Sequence, residues 1–367
     1  MGKVMRALGL MSGTSMDGID LALIETDGVS HVRRIASATV DYPPEFRAQL
    51  RQALADAKSV TSREQRPGCL AAIEQELTER QAQAALRFLG DQMLQPSAID
   101  VIGFHGQTVL HRPEARLTLQ LGDGRLLAAK TGVDVVYDLR AADMVEGGQG
   151  APLVPVYHQA LAAKVLQRPV AFVNIGGVAN VTWIGRDGHL IAFDTGPGNA
   201  LIDDWMRATT GQPRDEDGRL AASGRIDERV LHACLMHPYF AKPVPKSLDR
   251  NTFPLELVQN LSPGDGAATL AAFTAEAVAR AREHMPEEPA VWVVCGGGRR
   301  NRTLMTMIAA RVENAVVPAE ALDLDGDTME AEAWAYLAVR SVLGLPITFP
   351  STTGAAQPMT GGVLVKA

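Results

Sequence analysis

Asp194 stands in Phe193-Asp-Thr-Gly-Pro-Gly-Asn199, between an apolar run and a glycine turn. That position aims a carboxylate out of a sheet, where burial tunes it as a general base. The bland alternative is helix capping, with Asn199 as a second candidate cap. Near the start, Ser12-Gly-Thr-Ser-Met-Asp-Gly-Ile-Asp20 joins two apolar runs. Gly13 and Gly18 allow close backbone approach, and the hydroxyls of Thr14 and Ser15 beside bare N–H groups can cradle a phosphate. Asp17 and Asp20 would repel a naked phosphate. With Mg²⁺ between, carboxylate and phosphate share one cation. An ordinary hairpin turn with surface aspartates is the competing account. Cys295-Gly-Gly-Gly298 leaves room for a flat adenine and its ribose, or is only a tight strand-to-helix turn.

Other candidates are single residues. His105 and Gln107, in His105-Gly-Gln-Thr108, can orient a polyhydroxylated ligand, although a lone histidine is commonly structural. Lys246, Asp249 and Arg250 can clamp an anion or belong to a solvated loop. Glu330 can be a second site carboxylate or a partner of its helix dipole. Gly13-Thr-Ser-Met16 resembles a subtilisin-like serine motif. A hairpin turn followed by Asp17 is poor ground for a nucleophile, and such a serine opens a helix late in its domain.

Elements to position these groups follow from periodicity. Val4–Met11 and Ile19–Ile24 read as a hairpin, with a third strand near Ile35–Val40. Helices follow over Pro43–Ala57 and Cys69–Leu89, with Cys69 and Cys234 as core residues. A strand over Ile99–Phe104 ends at His105, and strands follow at Thr118–Leu121 and Val133–Tyr137. The 147–153 glycine loop marks the junction between a domain of residues 1–150 and one of 151–367, whose last segment can pack back on the first. Val170–Ile184 repeats the opening design around Asn174, Gly176 and Gly177, so the chain reads as two similar halves. Leu190–Phe193 runs into Asp194. Asp265 caps a helix through His284, Ala290–Val294 leads to the Gly296–Gly298 turn, Arg299–Val312 is helical, and Met329–Leu343 closes the pattern. Several glycine turns at the carboxyl ends of strands are the sites where open α/β sheets bind ligands.

The chain of 367 residues is 46% hydrophobic, enough for two buried cores. Its net charge of −7 and 5% aromatic content argue against nucleic acid. Three widely spaced cysteines argue for a reducing compartment, and no apolar run is long enough for a membrane span. A cytoplasmic α/β protein is expected. No dinucleotide fingerprint follows a strand, which disfavours a nicotinamide enzyme.

As a set, and in order, Ser12–Asp20, His105–Thr108, Gly147–Leu153, Asn174–Gly177, Phe193–Asn199 and Cys295–Gly298 resemble the anhydro-N-acetylmuramic acid kinase family. The segment Lys246-Ser-Leu-Asp-Arg250 departs from that family's Lys-Ser-Thr-Gly-Arg. The resemblance implies two RNase H-like, actin-like ATPase domains around a cleft. It implies a kinase that uses ATP, Mg²⁺ and water to open 1,6-anhydro-N-acetylmuramic acid and form N-acetylmuramic acid 6-phosphate in cell-wall recycling. By the same resemblance Asp194 deprotonates the water, with Glu330 as the second catalytic carboxylate. Gly13, Thr14, Ser15, Met16, Asp17, Gly18, Ile19, Asp20, Asn174, Gly176, Gly177, Gly296, Gly297 and Gly298 hold the nucleotide, and Asp17 the metal. His105, Gln107, Thr108, Gln149, Gly150, Gly196 and Asn199 meet the sugar. A homodimer is the family expectation. The alternative from another class is a non-catalytic, ATP-switched binding protein on the same fold.

Overall fold

The computed structural model describes residues 3–13 and 15–367. By compactness the chain divides into two units, Met1–Ala163 with Thr328–Ala367, and Lys164–Asp327. The sequence expectation put the junction at 150/151. The division falls after the next helix instead, and the last forty residues count with the first unit.

Unit 1 opens with β1 (Met5–Ser12), β2 (Gly18–Thr26) and β3 (Val32–Asp41), followed by α1 (Pro44–Ala57) and α2 (Leu70–Asp91). Then come β4 (Val101–Arg112), β5 (Leu117–Leu121), α3 (Gly124–Thr131), β6 (Val135–Tyr137), α4 (Ala141–Val145) and α5 (Pro155–Ala162). In unit 2 the elements are β7 (Val170–Ile175), β8 (Val178–Ile184), β9 (Leu190–Pro197), α6 (Ala200–Thr210), α7 (Arg219–Ser223), α8 (Glu228–Leu235), α9 (Pro263–Ala279), β10 (Val291–Cys295), α10 (Arg302–Ala309) and β11 (Ala315–Pro318). Unit 1 is completed by α11 (Met329–Val342), α12 (Pro350–Thr353) and β12 (Val363–Val365).

The two sheets share one plan. In unit 1 the order is β3-β2-β1-β4-β6, with β12 beyond β6 and β5 paired to β4. The β1–β2–β3 meander is antiparallel, and β4 and β6 run parallel to β1. In unit 2 the order β9-β8-β7-β10-β11 repeats this, with an antiparallel meander and then two parallel strands. Both are RNase H-like α/β units. Buried on both faces, β1 and β10 read as continuous apolar runs, as central strands should.

Helix α11 lies directly on the unit 1 sheet. Its small residues Ala331, Ala333, Ala335 and Ala338 are fully buried, and glycines face them. A Cβ at Gly9 would come within 1.8 Å of the Ala331 carbonyl, and one at Gly103 within 2.1 Å of that of Trp334. The indole Nε1 of Trp334 donates to Met11 Sδ at 3.0 Å. The tail from Pro350 on returns to the sheet through β12, paired with β6. Among the described residues no helix is long and apolar enough to cross a membrane.

Five local expectations change. The strand expected to stop at Phe104 continues to Arg112, so His105–Thr108 lie inside β4. Gly106, at φ +69, makes the irregularity through which β4 leaves β1 and pairs with β5. Similarly, β9 runs through Asp194 to Pro197. Helix α9 is capped by Ser262, not Asp265: the Ser262 Oγ accepts from the Asp265 N–H at 3.1 Å, with Pro263 at the first helical position. Helix α9 ends at Ala279, and a 3-10 turn carries the chain to His284. The helix expected from Arg299 begins at Arg302, capped by Asn301, because a 3-10 turn holds Gly297–Arg300.

Candidate active site

In unit 2, Asp194 sits at a β-bulge. Asn180 of β8 pairs with Asp194 and Ala179 with Gly196, leaving Thr195 as the extra residue. A bulge bends the strand and re-aims the neighbouring side chain, which is why a carboxylate inside a strand reaches the rim of the sheet. Strand β9 is the sheet's edge, and the 246–248 segment covers it at this point. The Asp194 N–H donates to the Lys246 carbonyl at 2.9 Å, the Leu248 N–H donates to Asp194 Oδ2 at 2.7 Å, and the Tyr239 hydroxyl donates to the Asp194 carbonyl. Oδ1 accepts no hydrogen bond from the described residues and stays open. Burial pushes the carboxyl up to about 7, opposed by the Leu248 N–H. A carboxylate near 7 with one oxygen fixed and one open is suited to take a proton at neutral pH.

Three glycine turns of unit 2 meet beside it. The Gly198 and Ala200 N–H groups donate to the Gly177 carbonyl at 3.0 and 3.2 Å, and the Asn199 N–H donates to that of Gly176 at 2.7 Å. Asn199 Nδ2 donates to the Ile175 carbonyl at 3.0 Å, so Asn199 ties turn to turn rather than capping α6 with its side chain. Cys295 pairs with Asn174 in register, and a Cβ at Gly296 would fall 2.3 Å from Asn174 Oδ1. Gly196 is held by packing: a Cβ there would meet Ala277 at 2.6 Å.

Space separates two kinds of glycine. Gly198, Gly296 and Gly298 are demanded by the fold, since a Cβ would strike backbone or side chain at 2.3–2.4 Å. Gly13, Gly176, Gly177 and Gly297 have no positive φ, and a Cβ on them would meet nothing closer than 3.6 Å. The fold itself leaves those four positions room for a side chain.

In unit 1 the β1–β2 turn and the β4 motif form one hydrogen-bonded group. Ser12 Oγ donates to Gln107 Oε1 at 2.7 Å, Gln107 Nε2 donates to the Gly13 carbonyl at 3.1 Å, and Tyr42 OH donates to Ser12 Oγ at 3.1 Å. Ser15 is exposed and gives its hydroxyl to Asp17 Oδ1 at 2.7 Å. Asp17 is exposed, and Met16 is half-buried with φ +54. Gly18 is required by packing, with Val40 O 2.6 Å from a Cβ, and Ile19 is buried core. Asp20 accepts from Thr39 Oγ1 at 2.7 Å. Thr14 lies outside the described residues. No cluster of three or more metal-ligating side chains occurs among the described residues. An exposed single carboxylate such as Asp17 still fits Mg²⁺, which is usually held by one or two carboxylates together with substrate phosphates.

His105 does not face outward. It is 5% exposed, and its Nδ1 lies 3.0 Å from the Ser12 carbonyl. A carbonyl only accepts, so Nδ1 carries the proton and Nε2 accepts from Thr108 Oγ1 at 3.3 Å and Arg140 Nη2 at 3.4 Å. Burial and the neighbouring Arg140 charge lower its pKa to about 3. Arg140 is the residue the sequence reading missed. Its guanidinium lies 5.5 Å over the Trp334 ring and donates to the Gly150 carbonyl at 2.8 Å. Burial lowers its pKa to about 10, while the Glu330 and Asp143 carboxylates pull it back up. Gly150 donates its N–H to Asp143 Oδ2 at 2.7 Å, and the Gln149 N–H donates to the Thr353 carbonyl at 2.8 Å. His105, Gln107, Thr108, Gly150 and Glu330 thus gather around Arg140 and the β1–β2 turn. Nothing in the sequence marked Arg140 except its place three residues after a short strand.

The anion clamp dissolves. Lys246 is buried, Arg250 pairs with Asp204 at 3.1 Å, and Asp249 accepts the Asn251 N–H at 2.8 Å.

The family model described as anhydro-N-acetylmuramic acid kinase matches residues 5–367. A protein of that name from Rhodospirillum rubrum is 57% identical over 97% of this chain and 93% of its own. One from Brucella canis is 53% identical over 98% of both. At such identity and coverage the chain belongs to the anhydro-N-acetylmuramic acid kinase family.

Proposed function

We propose that this chain catalyses ATP-dependent opening and phosphorylation of 1,6-anhydro-N-acetylmuramic acid, giving N-acetylmuramic acid 6-phosphate and ADP. The bicyclic sugar has no free 6-hydroxyl. Water attacks the anomeric carbon, the C1–O6 bond breaks, and O6 takes the γ-phosphoryl group from ATP. Asp194 Oδ1 receives the proton of the attacking water while Leu248 N–H holds Oδ2 in place. The roomy glycines Gly13, Gly176, Gly177 and Gly297 let nucleotide lie on bare backbone. The exposed Asp17 would hold Mg²⁺, which neutralises phosphate charge when bound. His105 and Gln107 act as props of the phosphate turn, through Ser12 and Gly13, and Arg140, facing the Glu330 carboxylate, would meet the sugar.

The observation that supports this most is the Asp194 carboxyl, aimed by a bulge, half-buried and open at one oxygen, its pKa pushed up to about 7 by burial. The same reading puts the chain in the cytoplasm as a homodimer, with Cys69, Cys234 and Cys295 as free thiols. Incubation with ATP, Mg²⁺ and the anhydro-sugar should yield the 6-phosphate. ATP binding without sugar product would favour an ATP-switched binding protein.

A further inference from the structure

The Lys246 ammonium is an unusual group to bury. It is 7% exposed, and no carboxylate lies within ion-pair distance among the described residues. Its Nζ sits 4.9 Å over the Tyr239 ring and 5.9 Å from that of Phe193, and donates to the carbonyls of Phe240 and Tyr239 at 3.4 and 3.5 Å. The charged groups that face it are Lys242 on its own loop and Arg280, Glu283 and His284 from the end of the α9 segment. Burying a cation with no carboxylate at ion-pair distance is costly. What it closes is the loop 239–246, end to end, and both ends of that loop touch Asp194. The Tyr239 hydroxyl donates to the Asp194 carbonyl; the Lys246 carbonyl accepts the Asp194 N–H, and two residues on, the Leu248 N–H donates to its carboxylate.

Resting on the reaction proposed above, we infer that Lys246 is a positioning residue for Asp194: its ammonium staples the 239–246 loop so that the Leu248 N–H holds Oδ2 and leaves Oδ1 to the water. The residue acts through the backbone of its neighbour, not on the sugar. The contact at 248, where this chain has leucine in place of the family's threonine, is a backbone amide that any residue except proline supplies.

The test compares the full chain with Lys246→Met, which keeps the apolar stem, and Lys246→Arg, which keeps the cation. Lys246→Met should lower kcat by roughly 10²-fold, the order expected for a 1 Å misplacement, with KM for ATP unchanged. Loss of the N–H that favours the charged carboxylate should move the acid limb of the pH–rate profile upward from about 7. Lys246→Arg should restore both. Hydrogen exchange gives a readout besides turnover: the Leu248 amide should exchange faster in Lys246→Met and at the wild-type rate in Lys246→Arg. Unchanged Leu248 exchange, or a rate loss matched by lost folded protein with the acid limb unmoved, overturns the proposal. Wild-type protein that fails to make the 6-phosphate overturns the reaction instead, and the exchange result still decides the staple.

Discussion

Asp194→Asn should make the protein more stable and nearly inactive, and the two effects share one cause. Burial raises the Asp194 pKa from 3.8 to about 7, roughly three units. At 1.36 kcal/mol per unit this is a ceiling of about 4 kcal/mol for ionising the group in the folded chain. The side chain keeps one oxygen open to solvent, so about 1–2 kcal/mol is the share expected to reach stability. The sign follows from linkage. A raised folded pKa stabilises below the unfolded value, and this contribution is lost as pH rises through about 7. The asparagine variant has no proton to lose. Its advantage over wild type should grow from about pH 4 to 7 and stay level above. In a unit of this size it should raise Tm by roughly 2–8 °C at pH 8. Turnover should fall by about 10²–10⁴. Thermal melts at several pH values, with rates on the same preparations, check this. A variant less stable than wild type at pH 8 would refute the burial argument, and an unaltered rate would remove Asp194 from the chemistry.

Three further outcomes are expected. Gly297→Ala meets only Asn199 Nδ2 at 3.8 Å, so urea unfolding should stay within about 0.5 kcal/mol of wild type. Its KM for ATP should rise about tenfold with kcat kept, and an unchanged KM would deny the nucleotide that space. Gly9→Ala drives a methyl group into the Ala331 carbonyl and should destabilise unit 1 by about 3 kcal/mol in the same assay. His105 should stay neutral with its proton on Nδ1 from pH 5 to 9 in ¹⁵N spectra, since its pKa is about 3. A titration near the ordinary value of about 6.5 would contradict the burial of that ring.

Much of the architecture was legible because both units begin with an apolar run, a glycine turn and an apolar return. Periodicity misjudged β4 and β9, where strands carry polar residues through their interior. Gly106 and Thr195 irregularities re-aim His105 and Asp194, and alternation has no signature for a bulge. The place of Asp194, between an apolar run and a glycine turn, was legible. Arg140 was not, since a buried guanidinium is recognised by its surroundings, here Trp334, His105 and Gly150. Leu248 was also hidden, because it contributes an N–H, which every non-proline residue has. The Lys246 clamp misled for the opposite reason: a basic, proline-rich loop looks solvated until aromatic rings close over its lysine.

The most direct test of the central claim is turnover of the anhydro-sugar with ATP and Mg²⁺ in ¹⁸O-labelled water. A water activated by Asp194 puts the label on C1 of N-acetylmuramic acid 6-phosphate and leaves its phosphate unlabelled. Label on the phosphate, or none on C1, would contradict the account.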